Sequence, residues 1–335
     1  STAVRLDFDN SAQPEDLPGF PVLVALTSTR IDYGLASSYG EDLRFTDSEG
    51  TTALPHEVES WNDGGTSFVW VRVPQIDASS TTDHIWMHYG NAAARDVQDP
   101  DGVWDESYTG VWHLHDDFLD SSGSGNHGTN GGSTDEGGLL GDCQRFDGSN
   151  DGVNFGVTPG SAASLTFSLW LRSDTEMEYQ RPIFKLPGTG TDGWGIYMRR
   201  ADDPPAFYRG IIFRIGSRSE YGGWGSEISA PDAYERDVWV LVAGTYDDST
   251  STGALYIDGR QVATGTITNG RGVANTDEDL VLADTSEDFA GLIDEVRVSS
   301  VARSPSYMAA QHLSMTDGFI TYVAWSEPLP FCPLH

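Results

Sequence analysis

The stretch Leu165–Ser173, "LTFSLWLRS", decides the fold class because its apolar residues recur with a period of two. In a strand, that period places four apolar side chains on one face, namely Leu165, Phe167, Leu169 and Leu171. Trp170 falls on the opposite face, so both faces of the resulting sheet are expected to be partly covered. This segment is therefore predicted to be a strand of a β-sandwich.

Similar short alternating runs recur along the whole chain and are separated by turn residues. In "ALYIDGRQVATG", residues 254–265, the Asp258-Gly259 pair between two alternating runs predicts a hairpin whose central residues need positive φ. The one convincing helical pattern is "SPSYMAAQHL", with Ser304 as the cap and Pro305 at the first helical position. The predicted fold class is all-β.

The 335 residues exceed one ordinary core, since cores stop growing near about 250 to 300 residues. The first series of strands ends near residue 90, and the following residues gather Asp, Pro and Gly. We therefore predict a β-sandwich domain at residues 1–91, a linker at 92–107, a second sandwich at 108–322 and a docked C-terminal tail at 323–335.

The charge balance excludes two classes of partner. Acidic residues number 51 and basic residues 19, which gives a formal net charge of -32. Such a chain repels nucleic acid and anionic lipid surfaces. No apolar run is long enough to span a bilayer, so membrane insertion is not expected either.

The second domain resembles the laminin-G-like, concanavalin A-like jelly-roll modules. The resemblance rests on six ordered segments: "GVWHLHDDFLDSSGSGNHGT", "RFDGSNDGVNFG", "LTFSLWLRS", "WVLVAGTYD", "LYIDGRQV" and "FAGLIDEVRVSSVARS". The first domain is similar to an uncharacterised β-domain that precedes such modules, on "DLPGFPVLVAL", "DLRFTDSEGTTALPHEVESW" and "VWVRVPQIDASSTTDHIWMHYGN". The resemblance implies an extracellular or cell-surface protein that binds a glycan or another protein.

The acidic residues do not form a recognisable catalytic pair. A glycoside hydrolase needs two carboxylates about 5 to 5.5 Å or about 6.5 to 9.5 Å apart across the scissile bond. Asp294 and Glu295 are adjacent, so an unbroken strand points them to opposite faces, and we expect Glu295 to be solvated. Glu57 and Glu59 share a face and are interpreted as a solvated edge. No enzymatic activity is expected, with a polysaccharide-cleaving enzyme as an alternative.

Calcium is the one cofactor that the resemblance implies, because related modules often carry it. Its ligands would be oxygens at strand ends and in loops. The carboxylates that match are Asp117, Asp147, Asp151 and Asp294. The alternative is that Asp294 accepts backbone hydrogen bonds at a strand corner and that Asp147 forms a turn beside Gly148.

Four aromatic residues are candidates for stacking on a sugar ring. Tyr221 and Trp224 lie in the Gly-rich stretch "RSEYGGWGSE", and Trp194 and Tyr197 lie in a nearby strand pattern. Aromatic faces can bury the apolar side of a sugar ring while nearby acids bind its hydroxyl groups. The alternative is that these rings cover the core of the sandwich.

The tail "VAWSEPLPFCPLH", residues 323–335, is apolar and contains several prolines. One interpretation has it packed on its own domain, held by a disulfide between Cys143 and Cys332; the alternative for the cysteines is two buried thiols. A second interpretation adds the tail to a sheet edge of a neighbouring subunit, which would build an extracellular filament. A structural subunit of a filament is thus the alternative function.

Overall fold

The computed structural model describes residues 2–91, 93–115, 117–176, 179–185, 193–199, 209–216, 226–267, 277–283 and 289–324. The chain divides into two compact units. The first unit comprises Ser1–Asp105 and Ala309–His335, and the second comprises Glu106–Met308. None of the described helices is long and apolar enough to cross a membrane.

The described secondary structure is almost entirely β. The strands and the first helix of the N-terminal part are β1 (Thr2–Phe8), β2 (Leu17–Leu26), β3 (Arg44–Thr46), β4 (His56–Ser60), β5 (Ser67–Ile76), β6 (His84–Tyr89) and α1 (Pro100–Val103). The remaining elements are β7 (Tyr108–Trp112), β8 (Thr129–Asn130), β9 (Thr134–Gly137), β10 (Asp142–Asp147), β11 (Val153–Asn154), β12 (Leu165–Ser173), β13 (Ile183–Lys185), β14 (Trp194–Met198), β15 (Ile211–Ile215), β16 (Ser226–Ala230), β17 (Val240–Asp247), β18 (Thr252–Ile257), β19 (Arg260–Thr266), β20 (Val281–Leu282), β21 (Ala290–Ser299), α2 (Pro305–Met315) and β22 (Ile320–Ala324). The predicted all-β class is confirmed.

The first unit contains two antiparallel sheets. One has the strand order β22-β1-β6-β3 and the other the order β2-β5-β4. The long strands β2 and β5 pair from Leu17 opposite Ile76 to Leu26 opposite Ser67, and most of their apolar side chains are buried. The predicted linker is not wholly irregular, because Asp99 caps the short helix α1 by accepting a hydrogen bond from the amide of Gly102.

The C-terminal segment contributes a strand to the first unit. Strand β22 pairs antiparallel with β1, from Val4 opposite Ala324 to Phe8 opposite Ile320. The buried ring of Phe319 lies 6.0 Å from that of Phe8 and 5.9 Å from that of Phe20. The sequence placed residues 319–322 at the end of the second domain and residues 323–335 in the tail. The structure instead pairs residues 320–324 with β1, because the chain returns to a strand at its other end. Residues 325–335 of the predicted tail lie outside the described residues.

Polar contacts also hold this segment in the first unit. The amide of Leu23 donates to the Ser314 hydroxyl at 2.7 Å, and the amide of Ala25 donates to the Tyr322 hydroxyl at 2.9 Å. Arg30 donates to both carboxylate oxygens of Asp317, at 2.8 and 2.7 Å, and its guanidinium lies 4.1 Å from the ring centroid of Tyr322. Ser314 is buried, so its bond satisfies a backbone donor away from water.

The second unit is a sandwich of two sheets around one apolar core. The eight-stranded sheet has the order β19-β18-β17-β12-β21-β10-β9, with β7 also paired to β21, and the seven-stranded sheet has the order β16-β15-β14-β13-β20-β11-β8. Phe167 on β12 stacks on Trp194 of the other sheet at 4.8 Å between ring centroids. The predicted alternation in β12 is confirmed, because the inward residues Leu165, Phe167, Leu169 and Leu171 all belong to the core of the sandwich, and Trp170, outside that cluster, is also buried.

Two local predictions are confirmed in detail. The hairpin between β18 and β19 turns at Asp258 and Gly259, whose φ values are 49° and 73°. The hydroxyl of Ser304 accepts the amide of Tyr307 at 3.1 Å, and α2 begins at Pro305. In both cases short-range chemistry alone determines the conformation.

Candidate functional site

The acidic pair Asp294 and Glu295 lies where strand β21 changes its neighbour. On one side β21 pairs with β12 throughout; on the other it pairs with β10 as far as Ile293 and with β7 from Val296. The register to β12 shifts at this point, and Glu295 has a φ of 54°. This bulge interrupts the two-residue period, so the prediction of a solvated Glu295 is wrong: its exposed fraction is 0%.

Glu295 forms a buried ionic cluster. The Nδ1 atom of His113 lies 2.6 Å from its Oε1 atom, and the Nη2 atom of Arg297 donates to Oε2 at 2.5 Å. Burial by itself would raise the pKa of Glu295, but the charges of His113 and Arg297 outweigh burial and hold that pKa below its usual value. Glu295 is therefore ionised in the interior of the second unit.

Asp294 is buried just as completely but has different partners. Its Oδ2 atom accepts the amides of Leu139 and Leu140, in the turn between β9 and β10, at 3.0 and 3.1 Å. Burial raises the pKa of Asp294 well above its ordinary value, and the negative charge of Glu295 raises it further. These contacts fit the interpretation of Asp294 as an acceptor of backbone hydrogen bonds at a corner of the sheet.

Cys143 lies next to Asp294 and is a free, fully buried thiol. Burial raises its pKa to about 12, with a further contribution from the charge of Asp294. The alternative of a buried thiol describes Cys143. Cys332 lies outside the described residues, so the disulfide between the two cysteines stays a prediction.

Three of the four carboxylates predicted to bind calcium serve local turns, and the fourth, Asp294, accepts amides of a distant turn. The amide of Leu119 donates to Asp117 at 2.9 Å, and the amide of Asp147 donates to Asp151 at 2.8 Å. Asp147 in turn accepts the amide of Ser149 at 2.7 Å. Within the described part of the chain, these four residues do not form a group of three ligand atoms within 4.8 Å of one another. Calcium binding thus stays a prediction, and these four carboxylates do not lie together in the described part of the chain.

Glu57 and Glu59 are not a solvated edge, which corrects their interpretation from the sequence. Glu57 is buried and accepts a hydrogen bond from the indole of Trp104 at 3.2 Å. Glu59 accepts the indole N–H of Trp70, and the two indoles lie 5.4 Å apart. The two carboxylates therefore accept hydrogen bonds from buried indole groups of the first unit.

Two of the predicted sugar-stacking residues, Trp194 and Tyr197, lie on opposite faces of one sheet. Trp194 is fully buried in the core, where its indole donates to the carbonyl of Gly160 at 3.2 Å, so its assignment to a ligand surface is wrong. The period of two that turns Trp194 inward turns Tyr197 to the outer face of the seven-stranded sheet. Tyr221 and Trp224 lie outside the described residues.

Tyr197 belongs to a group of aromatic rings and guanidinium groups that we call the arginine–aromatic cluster. Its members are Tyr179, Arg181, Phe184, Tyr197, Arg199 and Arg214. The guanidinium of Arg214 lies 4.0 Å from the ring centroid of Tyr197, and that of Arg181 lies 5.5 Å from Tyr197 and 5.4 Å from Phe184. Arg199 lies 4.2 Å from the ring of Tyr179, which is 39% exposed. The cluster thus has a buried part around Tyr197 and an accessible part at Tyr179.

The basic residues around β13, β14 and β15 already have partners within the protein. Arg214 binds Glu227 at 2.5 Å, and Arg209 binds Asp232. Lys185 is fully buried, and its Nζ atom donates to the carbonyl of Val157 at 2.5 Å.

The arginines of this cluster were not predicted from the sequence. Carboxylates supplied most of the candidate residues, because they dominate a chain with 51 acidic residues. The contacts between rings and guanidinium groups join three separate segments, and a single sequence does not indicate such contacts.

Two segments of the chain match known families. Residues 147–309 match the family model Laminin_G_3, described as the concanavalin A-like lectin/glucanases superfamily. Residues 39–127 match a domain of unknown function, DUF2341. No curated protein matches the chain.

Solved structures resemble the larger part of the chain in fold. Domain 4 of AbnA, a GH43 extracellular arabinanase from Geobacillus stearothermophilus in complex with arabinotriose, is 19% identical with a TM-score of 0.48, covering 61% of this chain and 97% of that one. The binding domain of botulinum neurotoxin DC in complex with rat synaptotagmin II is 14% identical with a TM-score of 0.50, covering 63% of this chain and 52% of that one. The match thus spans about half of the neurotoxin domain.

The two family matches agree with the resemblance seen in the sequence. At such low identity the solved structures show the fold alone. The chain contains a concanavalin A-like, laminin-G-like jelly-roll domain, matched at residues 147–309, preceded by a DUF2341 domain matched at residues 39–127.

Proposed function

We propose that this chain is a non-catalytic binding protein whose jelly-roll domain recognises a glycan or a protein ligand through the arginine–aromatic cluster. The observation that carries the proposal is the half-exposed ring of Tyr179 with the guanidinium of Arg199 stacked on it. Aromatic rings and arginines are the residues that most often anchor ligands at binding surfaces. The superfamily description, which includes lectins, supports the same role.

The contacts of the acidic residues support a non-catalytic role. Asp294, Glu295, Glu57 and Glu59 all bind groups of the protein itself. A general acid or a nucleophile must instead reach the substrate. The extracellular or cell-surface location that we propose rests on the pairing of the two domains.

Retention on glycan and protein arrays tests the proposed function. We expect the full chain to be retained by at least one immobilised ligand and Tyr179→Ala to lose that retention while its melting temperature is unchanged. Tyr39→Ala is the matched control, because Tyr39 is also an exposed tyrosine, at 71%, but lies in the first unit. Equal retention of both variants would contradict the cluster as the binding site, and release of reducing ends from a polysaccharide would contradict the absence of catalysis.

A further inference from the structure

Two loops of the first unit concentrate negative charge. They span residues 9–16, between β1 and β2, and residues 77–83, between β5 and β6. The longer stretches 6–29 and 73–83, which contain these loops, include six acidic residues and no Lys, Arg or His. Five of the six lie in the loops themselves: Asp9, Glu15, Asp16, Asp77 and Asp83. Charge of this sign attracts a cation.

The basic residues that flank these two stretches contact other groups. Arg5 pairs with Asp7, which is the sixth acidic residue, and Arg30 pairs with Asp317. Arg72 donates to the carbonyl of Gly102 at 3.4 Å, and His84 contacts the carbonyl of Thr82. The negative charge of the two loops is therefore not balanced by these four side chains.

Asn10 joins the two loops from a fully buried position, with an exposed fraction of 0%. Its backbone amide donates to the carbonyl of Ser80 at 2.9 Å. Its side-chain Nδ2 atom donates to the carbonyl of Glu15 in the first loop at 3.2 Å and to that of Asp77 in the second at 2.9 Å. The side-chain amide of Asn10 therefore lies between the two acidic loops.

The side-chain oxygen of Asn10 is buried and accepts no hydrogen bond from the described residues. The two bonds of Nδ2 fix the orientation of the amide, because the reversed orientation would place its oxygen against two carbonyl oxygens. A buried polar atom of this kind needs a partner, which can be a water molecule or a cation. The surrounding carboxylates favour the cation, since their negative charge attracts it.

Asp83 lies beside Asn10, because both side chains contact the backbone of Asp77. The Oδ2 atom of Asp83 accepts the amide of Asp77 at 3.0 Å, while Asn10 donates to the carbonyl of the same residue. The Oδ1 atom of Asp83 has no hydrogen bond to the described residues and is available to an ion. Asp16 adds negative charge nearby, where it accepts the amide of Ala78 at 2.8 Å.

The spacing of the acids selects the kind of ion. Among the described residues, no three acidic side chains of these loops have oxygens within 4.8 Å of one another. An ion between the loops therefore takes at most two carboxylates and must accept amide, carbonyl and water oxygens as well. Calcium binds about six to eight such oxygens in flexible geometry, whereas magnesium demands a nearly ideal octahedron.

We propose that the loops at residues 9–16 and 77–83 bind a calcium ion, with the side-chain oxygen of Asn10 as its buried ligand and Asp83 as its charged one. The ion would hold the β1–β2 connection against the β5–β6 connection. This site lies in the first unit, apart from the four carboxylates that the sequence predicts to bind calcium in the second. It is independent of the proposed function, which concerns the jelly-roll domain.

The experiment combines calcium titration calorimetry of the full chain with amide hydrogen exchange in calcium or in chelator. We expect calcium to slow exchange in residues 9–16 and 77–83. Asp83→Asn keeps an oxygen for the Asp77 amide but removes a charged ligand, and it should weaken calcium binding about tenfold. Asp47→Asn is the matched control, because it removes the same charge from a turn of the first unit, where Asp47 accepts the amides of Thr51 and Thr52.

Each outcome decides the inference. Protection of both loops that Asp83→Asn weakens and Asp47→Asn preserves supports it. Equal affinities of the two variants, or calcium protection confined to the second unit, overturns it. The absence of binding at about 1 mM calcium also overturns it and assigns a water molecule to the oxygen of Asn10. Equal affinity for magnesium overturns the choice of calcium.

Discussion

In the first unit the buried His56 lies 5.3 Å from the ring of Phe45, and burial lowers its pKa to about 4, so it is neutral. In the second unit the equally buried Glu295 is ionised between His113 and Arg297. These two buried groups are therefore accommodated differently: His56 loses its charge, and Glu295 keeps its charge beside His113 and Arg297. The difference shows that burial alone does not decide whether a side chain is ionised, since a charged neighbour can outweigh the cost of desolvation.

The largest predicted loss of stability follows from replacing Glu295. Replacement by alanine leaves Arg297 as a buried charge without its carboxylate, and we expect a loss of about 3 to 5 kcal/mol in the free energy of unfolding. Asp7→Asn in the first unit is the control, because the Arg5–Asp7 pair is partly exposed and its loss is expected to cost about 0 to 1 kcal/mol. Calorimetric unfolding of the full chain measures both, and equal effects would contradict an ionic cluster that supports the second unit.

The next effect is the response of the first unit to acid. The pKa of His56 is about 4 in the folded chain, below its ordinary value of 6.5. Folding therefore favours the neutral form of His56. The stability that this preference contributes is complete above pH 6.5 and is lost as the pH falls toward 4. The loss should reach about 3 kcal/mol. Unfolding of wild type and His56→Phe across this range tests it, and an identical pH slope for the two proteins would refute the assignment.

A smaller loss of stability is expected when the C-terminal segment, residues 314–324, loses a contact with the first unit. Ser314→Ala removes the acceptor of the Leu23 amide, a buried contact, and is expected to cost about 1 to 3 kcal/mol. Asp317→Asn is the matched control in the same segment. The side chains of Arg30 and Asp317 are 22% and 44% exposed, so losing their ion pair is expected to cost about 0 to 1 kcal/mol. Denaturant titration that ranks the control above Ser314→Ala would contradict the structural role of this segment.

The smallest predicted effect is at Asp294, where the pKa is raised. Folding favours the protonated form, so its contribution is present at low pH and is lost as the pH rises through the folded pKa. Asp294→Asn resembles the protonated acid, and we expect it to raise stability at neutral pH by about 1 kcal/mol or less. Destabilisation together with a stability that falls on addition of a chelator would instead support calcium at this carboxylate.

Local chemistry was predictable from the sequence, and long-range contacts were not. The alternation of β12, the Asp258-Gly259 turn and the Ser304 cap depend on neighbouring residues, and all three are confirmed. The pairing of β22 with β1 joins the two ends of the chain, and nothing in either segment specifies the other.

The site was harder to predict for two physical reasons. The bulge at Glu295 interrupts the strand period, and its cause lies in the exchange of β10 for β7 as the neighbour of β21 rather than in β21 itself. Trp194 and Tyr197 both look suited to stacking, but only their position on the sheet separates a core residue from a surface one. Knowledge of which face is inward would have directed attention to Tyr197 and its arginines.

The most direct test of the account is amide hydrogen exchange of the full chain with and without a polymer that it retains. The account predicts slower exchange on binding in residues 179–185, 193–199 and 209–216, with exchange in β1 to β6 unchanged. Protection confined to the first unit, or protection in the second unit away from these three segments, would contradict the arginine–aromatic cluster as the binding site.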